Sequence, residues 1–283
     1  MLSMSSDLLR ERLTRISVDN YQLKENEVFD SSGNYVLCKK CGKPKKKLTW
    51  SNVICNLVYH PVDEKCDCEK ARIEEEERQK RISFCKSYYN TELYLEEVKE
   101  EFRYSRFRSL KEGFMHPDFY QARDVLAKWV DEYKPGTKGV SIIGDVGLGK
   151  STLMDCLRNE ILDRGYSCVL ATISTIMDHE RNRTVRQNEF SYETYWNVDV
   201  LIIDDLGADF KNQGINKNNY NATLFSLINF RNTNNRTLCY TSNLARSELI
   251  DLGIDNRSVD RLKEMISVQL MLEGNSMRGI KQG

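Results

Sequence analysis

A glycine-rich segment in the second half of the chain has the spacing of a phosphate-binding loop. Residues 144–151 read Gly-Asp-Val-Gly-Leu-Gly-Lys-Ser and match the pattern G-x-x-x-x-G-K-[ST]. Glycines at these positions let the backbone curve so that successive N–H groups face phosphate oxygens, and the lysine reaches the β- and γ-phosphates. We therefore predict ATP as a ligand of nine consecutive residues: Gly144, Asp145, Val146, Gly147, Leu148, Gly149, Lys150, Ser151 and Thr152.

An acidic pair further along the chain completes the expected chemistry. Asp204 and Asp205 follow Val198–Ile203, a segment that is apolar at nearly every position and reads as a strand buried on both faces. Ligands of open α/β sheets bind at the carboxyl ends of the strands. We expect Asp204 and the hydroxyl of Ser151 to hold Mg²⁺, and Asp205 to orient the attacking water. Because Asp is one methylene shorter than the Glu that many ATPases use, we expect slow hydrolysis.

Strands and helices alternate between residues 116 and 283, and this alternation positions both motifs. Helical spacing of apolar residues predicts helices that start at Pro117, at Ser151 and at Tyr220. Short β-rich runs predict strands at Val140–Ile143, Cys168–Ile173, Val198–Ile203 and Thr237–Thr241. The pattern predicts an α/β fold in which helices flank a parallel sheet.

Two closely spaced cysteine pairs lie in the first part of the chain. Cys38 and Cys41 form a C-x2-C pair, and Cys66 and Cys68 form a C-x-C pair. Four thiolates in two close pairs are typical of a tetrahedral structural Zn²⁺ site, so we predict zinc bound by these four residues. Two further residues between the pairs, Cys55 and His60, are rival ligands.

Residues 1–115 and 116–283 differ in composition, which predicts separate domains. Residues 1–115 carry six of the nine cysteines and a nearly all-charged run, Glu69–Arg81, which predicts a solvated helix. We predict an N-terminal zinc-binding domain over residues 1–85, a linker region over 86–115 and an ATPase domain over 116–283. The three other cysteines, Cys156, Cys168 and Cys239, lie in apolar runs and are predicted core residues.

Composition excludes several classes of protein. Lys plus Arg and Asp plus Glu both number 42, which excludes a uniformly basic nucleic-acid binder but not a local basic stripe. No apolar run approaches the length that a transmembrane helix needs, so we expect no membrane partner. The odd cysteine count and the absence of a visible secretory signal favour reduced thiols or a metal site in the cytoplasm.

The segment His179–Trp196 is a candidate surface for single-stranded DNA. Cations that bind the backbone alternate there with rings that stack on bases: Arg181, Arg183, Arg186, Phe190, Tyr192, Tyr195 and Trp196. The alternative is a surface helix whose aromatic residues pack on the sheet. Tyr195 and Trp196 adjoin the apolar strand, which favours packing for these two.

Taken together, these motifs resemble those of the AAA+ ATPases of the DnaC/DnaI helicase-loader and IstB-like group, over residues 115–283. Besides the phosphate loop and the acidic pair, the resemblance includes residues 241–244 (Thr-Ser-Asn-Leu) and 257–262 (Arg-Ser-Val-Asp-Arg-Leu). It implies that Asn243 senses the nucleotide, that Arg261 acts as an arginine finger, and that Arg278 provides a second sensor. The Asp204–Asp205 pair resembles the DnaI-like branch and phage-encoded loaders more than IstB.

The resemblance also implies a function and partners. A loader of this type would hydrolyse ATP with stimulation by single-stranded DNA, assemble as a homo-oligomer through its AAA+ domain, and place a DnaB-type replicative helicase on DNA during replication initiation. Residues 1–115 would contact the helicase, and the N-terminal segment 1–16 could either join that contact or pack on its own domain. The alternatives are a transposition helper ATPase of the IstB type and an adaptor that binds ATP with negligible hydrolysis.

Overall fold

The computed structural model describes most of the chain and divides it into two compact units, Met1–Gln79 and Lys80–Gly283. The described residues are 6–51, 56–62, 66–91, 94–95, 98, 100–113, 115–181, 193–211 and 215–276. Residues of the segment 86–115, predicted as a linker region, lie in the second unit and contribute buried side chains: Tyr94, Leu95, Val98 and Phe107. The second unit therefore begins well before residue 116.

The first unit contains an antiparallel sheet of four strands. In chain order, its elements are α1 (Ser6–Asn20), β1 (Glu27–Phe29), β2 (Tyr35–Cys38), β3 (Pro44–Ser51), β4 (Asn56–Pro61) and the start of α2 (Asp67–Tyr88). The strands follow the spatial order β1-β2-β3-β4. The rings of Tyr21, Phe29 and Tyr59 pack together with centroids 4.9–6.0 Å apart. The hydroxyl of Ser17 in α1 donates to the carbonyl of Leu57, so α1 packs on the sheet of its own unit.

The second unit is built on a parallel sheet of five strands. The strands are β5 (Gly139–Gly144), β6 (Cys168–Ala171), β7 (Val200–Ile203), β8 (Thr237–Ser242) and β9 (Ile266–Leu272). They follow the order β6-β7-β8-β5-β9, and every pair is parallel. The helices are α3 (Pro117–Glu132), α4 (Lys150–Asp163), α5 (Ile173–Arg181), α6 (Glu193–Asn197), α7 (Lys217–Thr233), α8 (Arg246–Leu252) and α9 (Asn256–Met265). The predicted parallel sheet with flanking helices is confirmed.

Alternate residues of each central strand enter two separate cores. Leu170 and Ile202 pack with α3 and α4, whereas Leu201 and Ile203 pack with α5, α7 and α9. Successive side chains of a strand point to opposite faces, so a strand covered on both faces needs an apolar residue at every position. This is why the central strands are continuous apolar runs. Cys156, Cys168 and Cys239 lie in the first of these cores, as predicted.

Three features of the sheet differ from the sequence-based prediction. The third strand begins at Val200 rather than at Val198, because the N–H of Val198 donates to the carbonyl of Thr194 in α6. The second strand ends at Ala171 rather than at Ile173, because the Thr172 hydroxyl accepts the N–H of Thr175 and helix α5 starts there. Strand β9 was not predicted. It follows α9 without an intervening glycine or proline, and its residues alternate between half-buried and exposed as an edge strand does.

A buried arginine joins the helices to the ends of the strands. Arg231 of α7 has no solvent-exposed surface and donates hydrogen bonds to five backbone carbonyl groups: those of Tyr195, Trp196, Val198, Asp199 and Thr237. Tyr195 is buried in the core, and the ring of Trp196 packs edge-on against Phe230 with centroids 5.3 Å apart. Both rings therefore pack against the core of this unit, Tyr195 buried and Trp196 half-buried, as expected if the aromatic residues of this segment pack on the sheet rather than bind DNA.

Candidate nucleotide-binding site and cysteine cluster

The glycine-rich loop connects β5 to α4, as its sequence predicts. Gly147 and Gly149 have φ angles of 87° and 85°, in the left-handed region that favours glycine. A Cβ atom on Gly149 would lie 2.6 Å from the Phe119 ring and 2.7 Å from the methyl group of Met115. The carbonyl of Gly149 accepts the N–H of Leu153 and begins helix α4, whose N-terminal dipole favours an anion in the loop.

Lys150 is the first residue of α4 and points back into the loop. Its Nζ atom donates to the carbonyl oxygens of Gly144 at 2.7 Å and Asp145 at 2.8 Å, and to Oδ1 of Asn243 at 2.5 Å. Only 7% of the residue is exposed. These contacts hold the ammonium group at the loop, where phosphate oxygens could take the place of protein oxygens.

The other loop residues differ in exposure. Asp145 and Val146 are exposed, whereas Leu148 is buried in the core. Ser151 and Thr152 lie in the first turn of α4 and are half-buried. The buried Leu148 side chain therefore anchors the loop. The Ser151 hydroxyl lies in the first turn of α4, directly after Lys150.

The acidic pair lies directly after β7, next to the end of β8. The Thr241 hydroxyl donates to Oδ1 of Asp204 at 2.5 Å and accepts the backbone N–H of Asp205 at 2.8 Å. The N–H of Leu206 donates to the carbonyl of Thr241 at 2.8 Å. Asp205 has a φ angle of 53°, which is uncommon for a residue with a Cβ atom. Neighbouring β8 thus holds the turn in which both carboxylates lie.

Asn243 connects the acidic pair to the phosphate loop. Its Nδ2 atom donates to Oδ1 of Asp205 at 2.6 Å, while its Oδ1 atom accepts from Lys150. Strand β8 lies between β7 and β5, so a residue just after β8 can contact both neighbours. The structure therefore brings together three of the predicted catalytic residues, Lys150, Asp205 and Asn243, with Asp204 next to them.

Thr241 is the residue of this site to which the sequence assigned no role. It belongs to the same Thr-Ser-Asn stretch as Asn243, two residues earlier, and is 1% exposed. A polar hydroxyl near the end of an otherwise apolar strand is the signal that could have identified it. Ser242 plays a related part, because its hydroxyl donates to the carbonyl of Leu206 and accepts the N–H of Leu244.

The structure places the predicted arginine finger on α9. Arg261 donates to Oδ1 of Asn229, and its guanidinium lies over the Phe225 ring at 5.2 Å. Arg257 lies over the same ring at 5.1 Å and is more exposed. Both partners belong to α7. The other predicted sensor, Arg278, lies outside the described residues.

The candidate DNA-binding segment is described only in part. Arg181, the last residue of α5, is exposed and forms an ion pair with Asp178 at 3.4 Å. Four of its predicted contact residues lie outside the described part of the chain: Arg183, Arg186, Phe190 and Tyr192. Tyr195 is buried and Trp196 is half-buried, so Arg181 is the one fully exposed member among the described residues of this set.

The cysteines of the first unit cluster around the turn between β2 and β3. The sulfur atoms of Cys38, Cys41 and Cys68 lie within 4.8 Å of one another, and the Cys66 thiol interacts with those of Cys38 and Cys41. Cys38 and Cys66 are buried, whereas Cys41 is exposed. The turn is closed by a hydrogen bond from the N–H of Gly42 to the carbonyl of Cys38. Three of the four predicted ligands therefore form one cluster, and Cys66 interacts with two of them, while Cys55 lies outside the described residues.

The cluster also favours a thiolate at one of its members. Hydrogen bonds from the backbone N–H groups of Cys41 and Lys40 lower the pKa of Cys38 to about 7, although burial acts in the opposite direction. Burial raises the pKa of Cys66. Four sulfur donors, one of them readily deprotonated, are the set that Zn²⁺ prefers. Zn–S bonds of ~2.3 Å in a tetrahedron place sulfur atoms roughly 3.8 Å apart, so three sulfur atoms within 4.8 Å of one another are close enough to share one metal ion.

None of the helices in the described ranges has both the length and the apolar composition needed to cross a bilayer.

Comparison with known proteins identifies the family of the second unit. The model of the family described as the bacterial DnaA ATPase domain matches residues 118–269. Among solved structures, the DnaC helicase loader is similar with a TM-score of 0.52 and 17% identity, over 62% of this chain and 100% of that chain. DnaI gives a TM-score of 0.47 with 20% identity, over 64% of this chain and 94% of that chain.

The AMPPCP-bound DnaA of Aquifex aeolicus gives a TM-score of 0.48 with 20% identity, over 64% of this chain and 53% of that chain. At these identities, the similarity to the DnaC loader concerns the fold. The family match covers more than half of the chain and includes the phosphate loop, the acidic pair, Asn243 and Arg261. The chain belongs to the family of the bacterial DnaA ATPase domain and has its AAA+ α/β fold.

Proposed function

We propose that this protein is an ATP-dependent loader that binds a DnaB-type replicative helicase and places it on single-stranded DNA. The observation that carries the ATPase part is the hydrogen-bonded connection from Lys150 through Asn243 to Asp205. This connection joins the group that would bind phosphate to the group that would orient water. A nucleotide that enters the loop would change the contacts of Lys150 and of Asp205 at the same time, and a switch controlled by ATP requires such a coupled change.

The roles proposed for the individual residues combine their positions with the resemblance of their motifs to those of AAA+ loaders, and the roles of Arg261 and Arg278 depend on the resemblance alone. Lys150 and the loop N–H groups bind the β- and γ-phosphates, and the Ser151 hydroxyl and Asp204 hold Mg²⁺, which neutralises phosphate charge when bound. Asp205 orients the attacking water, and Asn243 holds the Asp205 carboxylate in place. Arg261 and Arg278 supply positive charge to the transferred phosphate, Arg261 from a neighbouring subunit of a homo-oligomer.

The loader part of the proposal is supported by the layout of the chain. A cysteine-bearing unit precedes the ATPase unit, and the sequence motifs resemble those of DnaI-type loaders. We propose that the first unit binds Zn²⁺ through Cys38, Cys41, Cys66 and Cys68 and contacts the helicase. We also propose that the protein is cytoplasmic and that single-stranded DNA stimulates its ATPase activity.

A loading assay tests the function. The full chain, ATP and a DnaB-type helicase are mixed with circular single-stranded DNA coated with single-strand-binding protein, and helicase activity is measured. We expect the parent to deliver the helicase and Lys150→Ala to fail, with ATP hydrolysis reduced by about 10²–10³-fold. The matched control is Lys128→Ala, which removes an exposed lysine of α3 with 76% of its side chain accessible.

Several outcomes would reject parts of the proposal. If the parent with ATP never delivers a DnaB-type helicase, the loader function is wrong. Stimulation of a transposase on duplex DNA would favour the transposition helper. Helicase delivery without measurable ATP turnover would make the protein an adaptor that binds ATP. Parent-like hydrolysis by Lys150→Ala would place the nucleotide site elsewhere.

A further inference from the structure

A groove of about 800 Å³ in the first unit is lined by an excess of positive charge. Six cationic side chains line it: Lys24, Lys39, Lys40, Lys45, Lys46 and Arg72. Among the described residues that line it, three carboxylates oppose them, those of Glu25, Glu27 and Glu69. We call these six cations and three carboxylates the basic groove. Since the whole chain has no net charge, this excess is a local feature.

A β-bulge turns two lysines of the basic groove toward one carboxylate. Val36 of β2 pairs with Lys46, whereas the next residue, Leu37, pairs with Pro44, so Lys45 is an extra residue on β3. The Nζ atoms of Lys45 and Lys46 lie 3.6 Å and 4.0 Å from Oε1 of Glu27. Without the bulge, adjacent residues of a strand would face opposite sides of the sheet.

Glu27 forms the floor of the basic groove. Its side chain is 2% exposed and accepts from the Tyr21 hydroxyl at 2.9 Å and the Lys24 N–H at 3.2 Å. Lys45 is also buried, with 8% of its side chain exposed, and lies between Glu27 and Glu69. The carboxylates therefore neutralise the inner lysines and hold them in place.

The outer lysines remain available to a ligand. Lys24, Lys39 and Lys40 are exposed, and the last two lie in the turn between Cys38 and Cys41. The N–H of Lys39 donates to the carbonyl of Asn26 at 2.9 Å, which ties this turn to the segment that carries Lys24. The outer cations are thus held on a connected backbone rather than on independent loops.

We propose that the basic groove binds the phosphodiester backbone of single-stranded DNA. Lysines are point charges that suit phosphate groups, and they are depleted at protein–protein interfaces, where aromatic anchors dominate. The described residues that line the groove include no aromatic side chain, and Pro61 and Val62 are its apolar members. The proposed function shares this class of ligand, but the groove adds a contact in the first unit.

The test measures the binding of the full chain to a fluorescent oligothymidylate by anisotropy, over a series of salt concentrations and without nucleotide. Each phosphate of a single strand that the protein neutralises contributes about 0.7 to the slope of log affinity against log salt. We expect Lys39→Gln with Lys40→Gln to make the slope shallower by about 1.4, and Lys24→Gln by about 0.7. Lys39→Arg with Lys40→Arg should keep the parent slope.

The control is Lys47→Gln with Lys70→Gln, which removes the same charge from exposed positions of this unit outside the basic groove. An unchanged slope in the groove variants, or an equal change in the control, overturns the inference. So does the absence of DNA binding by the parent. If the groove variants lose helicase binding but keep the parent DNA slope, the groove binds a protein partner and the inference is also overturned. If the DNA-binding test gives the expected slopes but the loading assay shows no helicase delivery, the inference stands and the proposed loader function is rejected.

The Lys24 variant keeps the test independent of the cysteine turn. Lys24 lies in another segment, and its backbone N–H bond to Glu27 survives the substitution. If Lys39→Gln with Lys40→Gln fails to fold, as thermal melting would reveal, the Lys24→Gln slope decides alone. A parent slope in folded Lys24→Gln protein would then overturn the inference.

Discussion

Thr241 donates a hydrogen bond of 2.5 Å to Asp204 across two adjacent strands. The same hydroxyl accepts the N–H of Asp205, so one buried side chain orients both members of the acidic pair. The bond engages one oxygen of the Asp204 carboxylate and fixes the rotation of the group. Where a carboxylate binds a metal ion, as proposed for Asp204, residues that orient it in this way typically change metal affinity by about 10–100-fold.

Replacing this hydroxyl tests its positioning role. Thr241→Val keeps the shape of the side chain but leaves the Asp204 carboxylate unoriented and the Asp205 N–H without its acceptor. We expect the Mg²⁺ concentration for half-maximal ATPase activity to rise by about 10–100-fold. The unfolding free energy should fall by about 1–3 kcal/mol. Thr241→Ser restores the donor and should restore Mg²⁺ dependence. If Thr241→Val loses stability but keeps the parent Mg²⁺ dependence, the residue is only structural.

Arg261 is expected to act on the nucleotide of a neighbouring subunit. In Arg261→Ala, the phosphate loop is intact, so ATP affinity should stay near the parent value while turnover falls by up to about 10³–10⁵-fold. The matched control is Arg257→Ala, because Arg257 lies over the same Phe225 ring at almost the same distance. The measurement is steady-state ATP hydrolysis together with nucleotide binding.

Mixing variants distinguishes action between subunits from action within one. Lys150→Ala subunits still offer Arg261, and Arg261→Ala subunits still offer an intact loop, so mixed assemblies should regain part of the activity. If the mixture stays inactive where the parent assembles, Arg261 acts within its own subunit or is structural. An equal loss in Arg257→Ala would show that packing on Phe225 is what both variants disturb.

We predict one Zn²⁺ per chain, bound in the first unit. Metal binding contributes directly to folding in so small a unit, so a chelator should unfold the first unit and leave the second folded. Metal analysis and circular dichroism measure both effects. Cys66→Ser with Cys68→Ser should lose the metal, whereas His60→Ala, at an exposed position of β4, should keep it. Normal zinc content in the double variant would move the ligand set toward Cys55 and His60.

Arg231 is expected to be one of the most sensitive positions for stability. Arg231→Met keeps the volume of the side chain but removes a hydrogen bond from each of five carbonyl groups, four of them other than the Asp199 carbonyl, which also accepts the N–H of Thr237; this should cost at least about 3 kcal/mol of unfolding free energy. Arg236→Met is the control, since Arg236 forms a partly exposed ion pair with Asp199 and should cost less than about 1 kcal/mol. Denaturant unfolding measures both. Equal losses would contradict the role of the buried bonds.

Much of the second unit could be predicted from local sequence. A strand covered on both faces has to be apolar at each position, so Val200–Ile203 is recognisable without its neighbours. The phosphate loop is equally local, because its chemistry requires glycine and lysine at fixed spacing. Edge strand β9 and the antiparallel strands of the first unit escaped prediction, since half-exposed strands lack the continuous apolar run that marks a strand buried on both faces.

The sequence by itself determined which residues are the candidates for the chemistry of this protein: the loop that ends in Lys150, the pair Asp204 and Asp205, and the four cysteines. Only the tertiary structure decided how they are connected. Lys150 and Asn243 are 93 residues apart, and they meet because β8 lies between β7 and β5. Strand order depends on how both faces of the sheet are covered by helices, which no local pattern encodes. The role of Thr241 and the burial of Arg231 depend on the same packing.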